Sequence, residues 1–461
     1  MNDLVVPKRN KYRSVLFFIG SFVIALGLTW LVKEPTFTDS QVYVFFLLFF
    51  SVGLWITEAI PAFAVALFIM AYLVFTLGNP HFNSAPEKID RYVNTFSSSI
   101  IWLLLGGFFL AAAMTKTKLD ERLLKLTLRV SGTKPRNIVI AFMCTTMFAS
   151  MIMSNTATTV MLVAALMPLL TSLGKSGVSK ALLLGISISA TTGGMATIIG
   201  TPPNAIAAGI LENEGVNMDF LHWIIYGMPV AIVLTAISCF VLIRRFVKTS
   251  TPVSLDFQKD QKSDEKEEPG FQRKLVLVVL VITILFWLTG SLHGISVAAV
   301  AAIPIVIFTL TGVINADDIR GLPWDTLFLI AGSMSLGEAL ESTRILEHYA
   351  NQMQSIHIHP VAFLIIFAYV TMIFTNIMSN AAASTVLIPL AFALLPDYKV
   401  EAAMTIGLSA STALFLPVST PPNAICFSTG LLRQKDFLLG GILIGIIGPV
   451  LSVLWVLLVK G

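Results

Sequence analysis

Polar residues along this chain are bunched, and the stretches between them stay apolar for longer than a globular core requires. Predominantly apolar runs occupy about 14–32, 42–57, 60–78, 98–115, 221–243, 275–291, 294–314, 325–342 and 438–459. A helix crosses the hydrocarbon core of a bilayer in about 20 apolar residues, so each run is expected to be a membrane-spanning helix. Four further apolar regions, 137–172, 181–211, 359–395 and 401–432, carry Ser, Thr, Asn, Gly or Pro near their middles. The first and third are expected to be re-entrant hairpins, each entering and leaving on one side. The second and fourth are expected to be helices broken in two. The expected fold class is an all-α polytopic membrane protein with about 11 transmembrane segments plus two re-entrant hairpins.

The pattern repeats. WITE at 55–58 matches WLTG at 287–290, and FASMIMSNTATT at 148–159 matches FTNIMSNAAAST at 374–385. SATTGGMATIIGTPPNAI at 189–206 matches SASTALFLPVSTPPNAI at 409–425 with one residue deleted, and GMPV at 227–230 matches GPV at 448–450. Four matches in order mark a duplication. If each hairpin returns to its own side, each copy crosses an odd number of times and the second starts from the opposite side. That is an inverted-topology repeat, a recurring transporter architecture. The expected organisation is an N-terminal segment and first span (1–40), a first repeat (41–248), a linker (249–274) and a second repeat (275–461).

Composition agrees with a membrane setting. Of 461 residues 56% are hydrophobic and 12% charged, against about 25% charged in a typical soluble domain, and the mean hydropathy is +0.84. The net charge of +4 is small and gives no sign of nucleic-acid binding. Its placement is more informative. With the N-terminus on the cytoplasmic side, 24 of the 30 Lys and Arg fall in inside segments, and the outside positions are Lys33, Lys88, Arg91, Arg344, Lys399 and Lys460. This is the positive-inside bias. It predicts a multi-pass protein of the cell (inner) membrane, N-terminus cytoplasmic and C-terminus outside. The first apolar run reaches Val32, beyond the apolar core of about 7–15 residues of a signal peptide, and is expected to be a retained span. Three cysteines, Cys144, Cys239 and Cys426, form no CxxC pair and are expected to be reduced residues in apolar surroundings. The polar stretch 249–270 is expected to be a solvated cytoplasmic linker.

The repeated motifs carry the chemistry. Pro202-Pro203 and Pro421-Pro422 each remove two amide donors and end the helix before them. Proline also suits the first turn of a new helix, so each TPPN is expected to open a half-helix whose N-terminus favours an anion. Carbonyls freed before the break can coordinate a cation. Irregular backbone at membrane depth is tolerated only inside protein or along a wet cavity. In the hairpins, Ser150, Ser154, Asn155 and Thr156 have Thr375, Ser379 and Asn380 as counterparts. The i, i+4 spacing is expected to stack Ser150 on Ser154 and Thr375 on Ser379 along a helical face. Neutral oxygens suit Na+, and an Asn amide also donates to an anion. No Lys or Arg lies in any motif core, so a multivalent anion would rely on bound cations and helix ends for charge compensation. No HExxH, GxSxG or P-loop pattern is present, and no enzymatic activity is expected. Glu58 beside Pro61 is either an intramembrane acid or an interface residue. Glu338 is expected to pair with Arg344, and His357–His359 to form a polar outside turn.

The paired SNT-like and TPPN motifs resemble those of the divalent anion–sodium symporter family, over about residues 55–450. The resemblance implies a homodimer whose protomers each hold a scaffold and a transport domain that moves like an elevator. The scaffold would comprise spans one to four and seven to nine. The transport domain would hold the hairpins, the broken helices and the last span of each repeat. It implies at least two co-transported Na+. One would be held by Ser150, Ser154, Asn155 and the Gly200 carbonyl, the other by Thr375, Ser379, Asn380 and the Ser419 carbonyl. The anion would meet Asn155, Thr156, Thr201, Asn380 and Thr420, with Ala381 and Pro421 beside it. Ala381 departs from the family's second threonine and lacks the hydroxyl that would bind the anion's far end. The implied function is Na+-coupled symport of divalent anions, C4 dicarboxylates (succinate, malate, fumarate) first. The alternatives are a sulfate or tricarboxylate symporter, or a Na+-independent exchanger of the same fold.

Overall fold

The structure is a computed structural model that describes residues 11–83, 86–248, 270–345, 348 and 359–460. Residues 1–10, linker positions 249–269 and His357 lie outside the described residues. Among those described, every regular element is helical. The first half contains α1 (Lys11–Val32), α2 (Asp39–Thr57), α3 (Ala62–Thr76), α4 (Ser99–Lys116), α5 (Leu119–Ser131), α6 (Pro135–Ser150), α7 (Asn155–Leu173), α8 (Gly177–Gly194), α9 (Pro202–Asn213) and α10 (Phe220–Phe246). The second contains α11 (Gly270–Leu288), α12 (Val297–Leu310), α13 (Trp324–Ser342), α14 (Pro360–Thr375), α15 (Asn380–Leu394), α16 (Lys399–Ala410), α17 (Pro421–Ser428) and α18 (Gln434–Lys460). Seven of the described helices are long and apolar enough to cross a membrane. The apolar helices α3, α12, α14 and α15 are shorter.

The duplication is physical as well as textual. Trp55 at the end of α2 donates its indole N–H to the carbonyl of Ala62, the first residue of α3, at 3.4 Å. Trp287 at the end of α11 does the same to Val297, the first residue of α12, at 3.2 Å. The halves also cross each other with matched small residues. A Cβ added at Gly106 of α4 would lie 2.8 Å from the Ala301 Cβ of α12, and one at Gly332 of α13 would lie 2.5 Å from the Ala66 carbonyl oxygen of α3. Such small-on-small contacts let helix backbones approach closely where no hydrophobic drive separates protein from lipid.

The inversion can be read from α18. At its N-terminal end Asp436 takes the Lys180 ammonium, from the first turn of α8, at 2.8 and 2.9 Å. At its C-terminal end Lys460 pairs with Glu401, in the first turn of α16. A helix of 27 residues is about 40 Å long, so α8 and α16 start at opposite ends of the molecule. Each hairpin returns to the end it came from. Gly185 of α8 faces Met143 of α6, and Ser150 at the end of α6 bonds the Ala190 carbonyl further along α8. α6 therefore runs parallel to α8 and starts where α8 starts, and α7 leads back to that end. Likewise α14 lies against α16, and Asn376, just past α14, meets Phe415, just past α16.

The helices form two bundles. One holds α1–α4 and α11–α13. The other holds α6–α10 and α14–α18, with α5 leading from the first into the second. They meet where α9 and α15 lie on α13. Thr385 of α15 donates to Ser333 of α13 at 2.7 Å. Ser98 and Ser99 at the start of α4 donate to the Glu212 carboxylate of α9 at 2.8 and 2.5 Å.

Several details depart from the sequence reading. Segment 116–136, which carries seven of the Lys and Arg between the fourth span and the first hairpin, is largely helical. It contains α5, which turns Leu124 and Leu128 inward and Arg122, Lys125 and Arg129 outward. Glu338 pairs with Arg91 rather than Arg344, because the short helix Asp90–Val93 brings Arg91 over α13. Glu58 caps the end of α2 in a left-handed conformation, φ 49°. His359 caps α14, its Nδ1 accepting the Val361 amide at 3.3 Å. Cys426 is buried, but Cys144 is exposed on the outer face of its helix. α11 starts at Gly270, inside the expected linker.

Candidate functional site

The first hairpin tip is built by two capping events. α6 stops at Ser150, and Ser154 takes an extended conformation and caps α7, its Oγ accepting the Ala157 amide at 3.2 Å. Asn155 is thus the first residue of α7. Its Oδ1 and the Ala190 carbonyl oxygen both lie 2.7 Å from Ser150 Oγ. Three neutral oxygens converge there at the Ser150 hydroxyl, the Ala190 carbonyl keeping its helix amide as well, an oxygen-rich arrangement that suits a cation. The first break, between α8 and α9, lies against this cluster. A Cβ at Gly194 would come 2.4 Å from Asn155 Oδ1, one at Gly193 would come 2.3 Å from the Met147 carbonyl oxygen, and one at Gly200 would come 2.5 Å from the Gly194 carbonyl oxygen. Only glycine lets hairpin and break approach this closely. Ser150, Asn155 and the Gly194–Gly200 turn are therefore brought together.

The expected helical-face stacking of hydroxyls is not what forms. Ser150 and Ser154 straddle the hairpin turn, as do Thr375 and Ser379, because α6 and α14 end at the first member and the second member caps the next helix. Ser154 and Ser379 are exposed and use Oγ in capping. Thr375 is buried and donates to its own helix at Met372, 3.1 Å away.

The TPPN motifs open helices as expected. α9 begins at Pro202 with Thr201 as its buried N-cap. α17 begins at Pro421 with Thr420 as its buried N-cap. Thr156 and Pro421 are exposed, Asn155 and Asn380 half-buried and Ala381 buried. The Ala381 carbonyl accepts the Thr385 hydroxyl at 2.9 Å. α9 lies on α15 and α17 on α7, so each new half-helix packs on the returning arm of the other repeat's hairpin. No ionisable side chain lies in these four motif cores. The arrangement offers neutral oxygens to a hard cation and helix N-termini to an anion.

Sequence reasoning missed the residues that hold the breaks in shape. Asn204, the last residue of the first TPPN, is fully buried. Its Nδ2 donates to the carbonyls of Gly194, Met195 and Thr197 at 2.8, 3.3 and 2.7 Å. Asn423 does the same in the second copy, to Leu414 and Leu416 at 3.3 and 2.8 Å. Its Oδ1 accepts the Ser187 hydroxyl of α8. The signal was present, since Asn follows Pro-Pro in both copies, but a broken helix does not by itself say what closes over the break. Trp223 adds an indole N–H to the Met195 carbonyl at 3.0 Å.

Comparison with known proteins places this geometry in context. Residues 52–404 match the family profile CitMHS, described as citrate transporter. The chain is 28% identical to a sodium-dependent dicarboxylate transporter SdcS of Staphylococcus saprophyticus, across 97% of this chain and 92% of that one. It is 29% identical to an SdcS of Staphylococcus aureus, across 90% and 85%. Two solved structures share the fold at a TM-score of 0.56. They are the Alcanivorax borkumensis YdaH transporter, at 13% identity over 87% of this chain and 98% of that one, and Neisseria gonorrhoeae MtrF, at 12% identity over 88% and 96%.

Proposed function

The chain belongs to the citrate transporter family and is a multi-pass membrane transporter, not an enzyme; from that premise we propose that it is a Na+-coupled symporter of divalent anions, C4 dicarboxylates first. The observation that carries this is the cluster of neutral oxygens, Ser150 Oγ, Asn155 Oδ1 and the Ala190 carbonyl, against a wholly buried helix break. Such a cluster suits Na+. The N-termini of α7, α9, α15 and α17 suit the carboxylates of a substrate. The relatives' names, which specify sodium and dicarboxylate, agree with that assignment. Proton coupling would ordinarily use an ionisable group at the site, and the motif cores hold none.

In this proposal one Na+ is held by Ser150, Ser154, Asn155 and the Gly200 carbonyl, and a second by Thr375, Ser379, Asn380 and the Ser419 carbonyl. The anion lies between the hairpin tips, with Asn155, Thr156, Thr201, Asn380 and Thr420 around it and Ala381 and Pro421 at its edge. The α6–α10 and α14–α18 bundle carries the site across the membrane against the other bundle, in a homodimer of the cell membrane with cytoplasmic N-termini. Leaving α7 out as a hairpin arm, the other six long helices with α3, α12, α13 and the two broken helices give the eleven segments.

Radiolabelled succinate uptake into proteoliposomes, with an inward Na+ gradient against a choline control, tests the reading. Saturable, Na+-dependent uptake is the expected result. Equal uptake in choline would favour an exchanger and remove the cation sites. Na+-driven entry of sulfate or citrate but not succinate would point to the missing hydroxyl at Ala381.

A further inference from the structure

The two hairpin tips are copies, but they are not tied to their breaks in the same way. Aligning Ser154-Asn155 with Ser379-Asn380 pairs Ser150 with Thr375 and Met151 with Asn376. The structure keeps that register: Met151 and Asn376 are each the first residue past the entering helix of a hairpin. In the first half the tie runs through the backbone, with Thr197 Oγ1 donating to the Met151 carbonyl. In the second half the position of Thr197 falls on Leu416-Pro417, which carry no hydroxyl. There the tie runs through a side chain. Asn376 Oδ1 accepts the Ser419 hydroxyl at 2.7 Å and the Phe415 amide at 3.3 Å. Its Nδ2 is anchored on the Met372 carbonyl at 2.8 Å.

The breaks also differ in how much protein surrounds them. Residues 191–201 are buried without exception, whereas Leu416 is 38% and Val418 79% exposed. The second break is held at one end by Phe415, lodged against Gly441 and Gly445, where a Cβ would come 2.6 and 2.3 Å from it. At the other end it is held by Asn376, through Ser419. With less packing around it, the position of this loop depends more on two side-chain amides: Asn423, on the Leu414 and Leu416 carbonyls, and Asn376, whose Oδ1 takes both the Phe415 amide and the Ser419 hydroxyl.

We propose that Asn376 is the positioning residue of the second cation site: by fixing Ser419 it orients the Ser419 carbonyl and thereby sets how tightly the second Na+ is bound. This rests on the transport function proposed above. Asn376 is not a ligand, and its removal loosens the loop without deleting a coordinating atom.

The test is a Na+ titration of succinate uptake in proteoliposomes for the wild type, Asn376→Leu, Ser419→Ala and the double variant. Asn376→Leu removes the bonds to Ser419, Phe415 and Met372 together and is expected to raise the half-saturating Na+ concentration about three- to tenfold. For Asn376→Leu the maximal rate should stay within about twofold, and the succinate half-saturation measured at saturating Na+ should not move. Ser419→Ala, which removes the shared contact and the acceptor of the Leu416 amide, should also raise the half-saturating Na+ concentration, and the double variant should shift it by less than the product of the two single fold-changes, because both remove the Asn376–Ser419 contact. Protection against thermal unfolding by NaCl in detergent reads the same affinity without transport. If Asn376→Leu does not fold, Ser419→Ala carries the test by itself. An unmoved Na+ curve, or a lower maximal rate with unmoved Na+ half-saturation, overturns the role of Asn376 while Na+-driven wild-type uptake leaves the transport reading standing. Absence of Na+ dependence in the wild type removes that reading, and this proposal with it.

Discussion

Removing the Asn204 amide leaves the Gly194 carbonyl of the first break without its donor, while Met195 keeps the Trp223 indole and Thr197 the Gly200 amide. A buried acceptor left unmet costs about 1–3 kcal/mol. Asn204→Ala is therefore expected to lower the thermal unfolding midpoint in detergent by several degrees and to abolish uptake with it. Asn155→Ala is expected to behave differently. Asn155 is only half-buried, and its Oδ1 accepts from Ser150, whose proton has the Ala190 carbonyl as a second acceptor. Folding should survive while Na+-dependent succinate uptake is lost, and normal uptake by this variant would sink the proposed first cation site. The SNT and TPPN motifs single out Asn155 and Asn380 as candidate site residues from the sequence. The roles of Asn204 and Asn423 are not legible in the sequence, because their contacts run to carbonyls seven to ten residues back along the chain and no local pattern states that such a loop folds onto them.

Two glycines separate what an element needs for folding from what it needs for the site. A methyl at Gly332 would meet the backbone of Ala66 at 2.5 Å, which cannot move without parting α3 from α13. Gly332→Ala is expected to cut the yield of monodisperse protein several-fold by size-exclusion chromatography. A methyl at Gly194 would meet only the end of the Asn155 side chain, at 2.4 Å. Gly194→Ala is expected to fold, to displace Asn155 and to lose Na+-dependent uptake. If it transported normally, the close approach of break and hairpin would be irrelevant to function. The half-helices themselves were legible, since Pro-Pro can only begin a helix here. Stacking of hydroxyls on one helical face was not borne out, because the helix ends between the paired residues and spacing alone does not say where a helix stops.

Across the whole molecule, the ion pairs between elements join like ends. Lys116 meets Asp318, Lys180 meets Asp436, Lys399 meets Glu214 and Lys460 meets Glu401. Each pair joins segments that the charge bias had put on one side of the membrane, as a folded bundle requires. The proposed sliding of one bundle past the other has a direct check at Ser333 and Thr385, whose hydroxyls are 2.7 Å apart across the boundary. Ser333→Cys with Thr385→Cys, in a background with Cys144, Cys239 and Cys426 replaced by Ala, is expected to cross-link on oxidation and stop uptake, with recovery on reduction. Full transport by the cross-linked protein would show that α13 and α15 stay together throughout the cycle.

By itself, the sequence determined that this chain lives in a membrane, that it is a duplicated helical protein, and where its helices must break. Apolar run length and proline's missing amide are properties of the chain alone and need no partner to act. Tertiary structure decided what closes each break, which oxygens converge, and that the duplicated halves are held differently, by a threonine on a backbone carbonyl in one and by Asn376 in the other. Those outcomes depend on segments far apart in sequence meeting at depth, where a polar group without a hydrogen-bond partner is costly. Only the folded arrangement shows which partners are in reach.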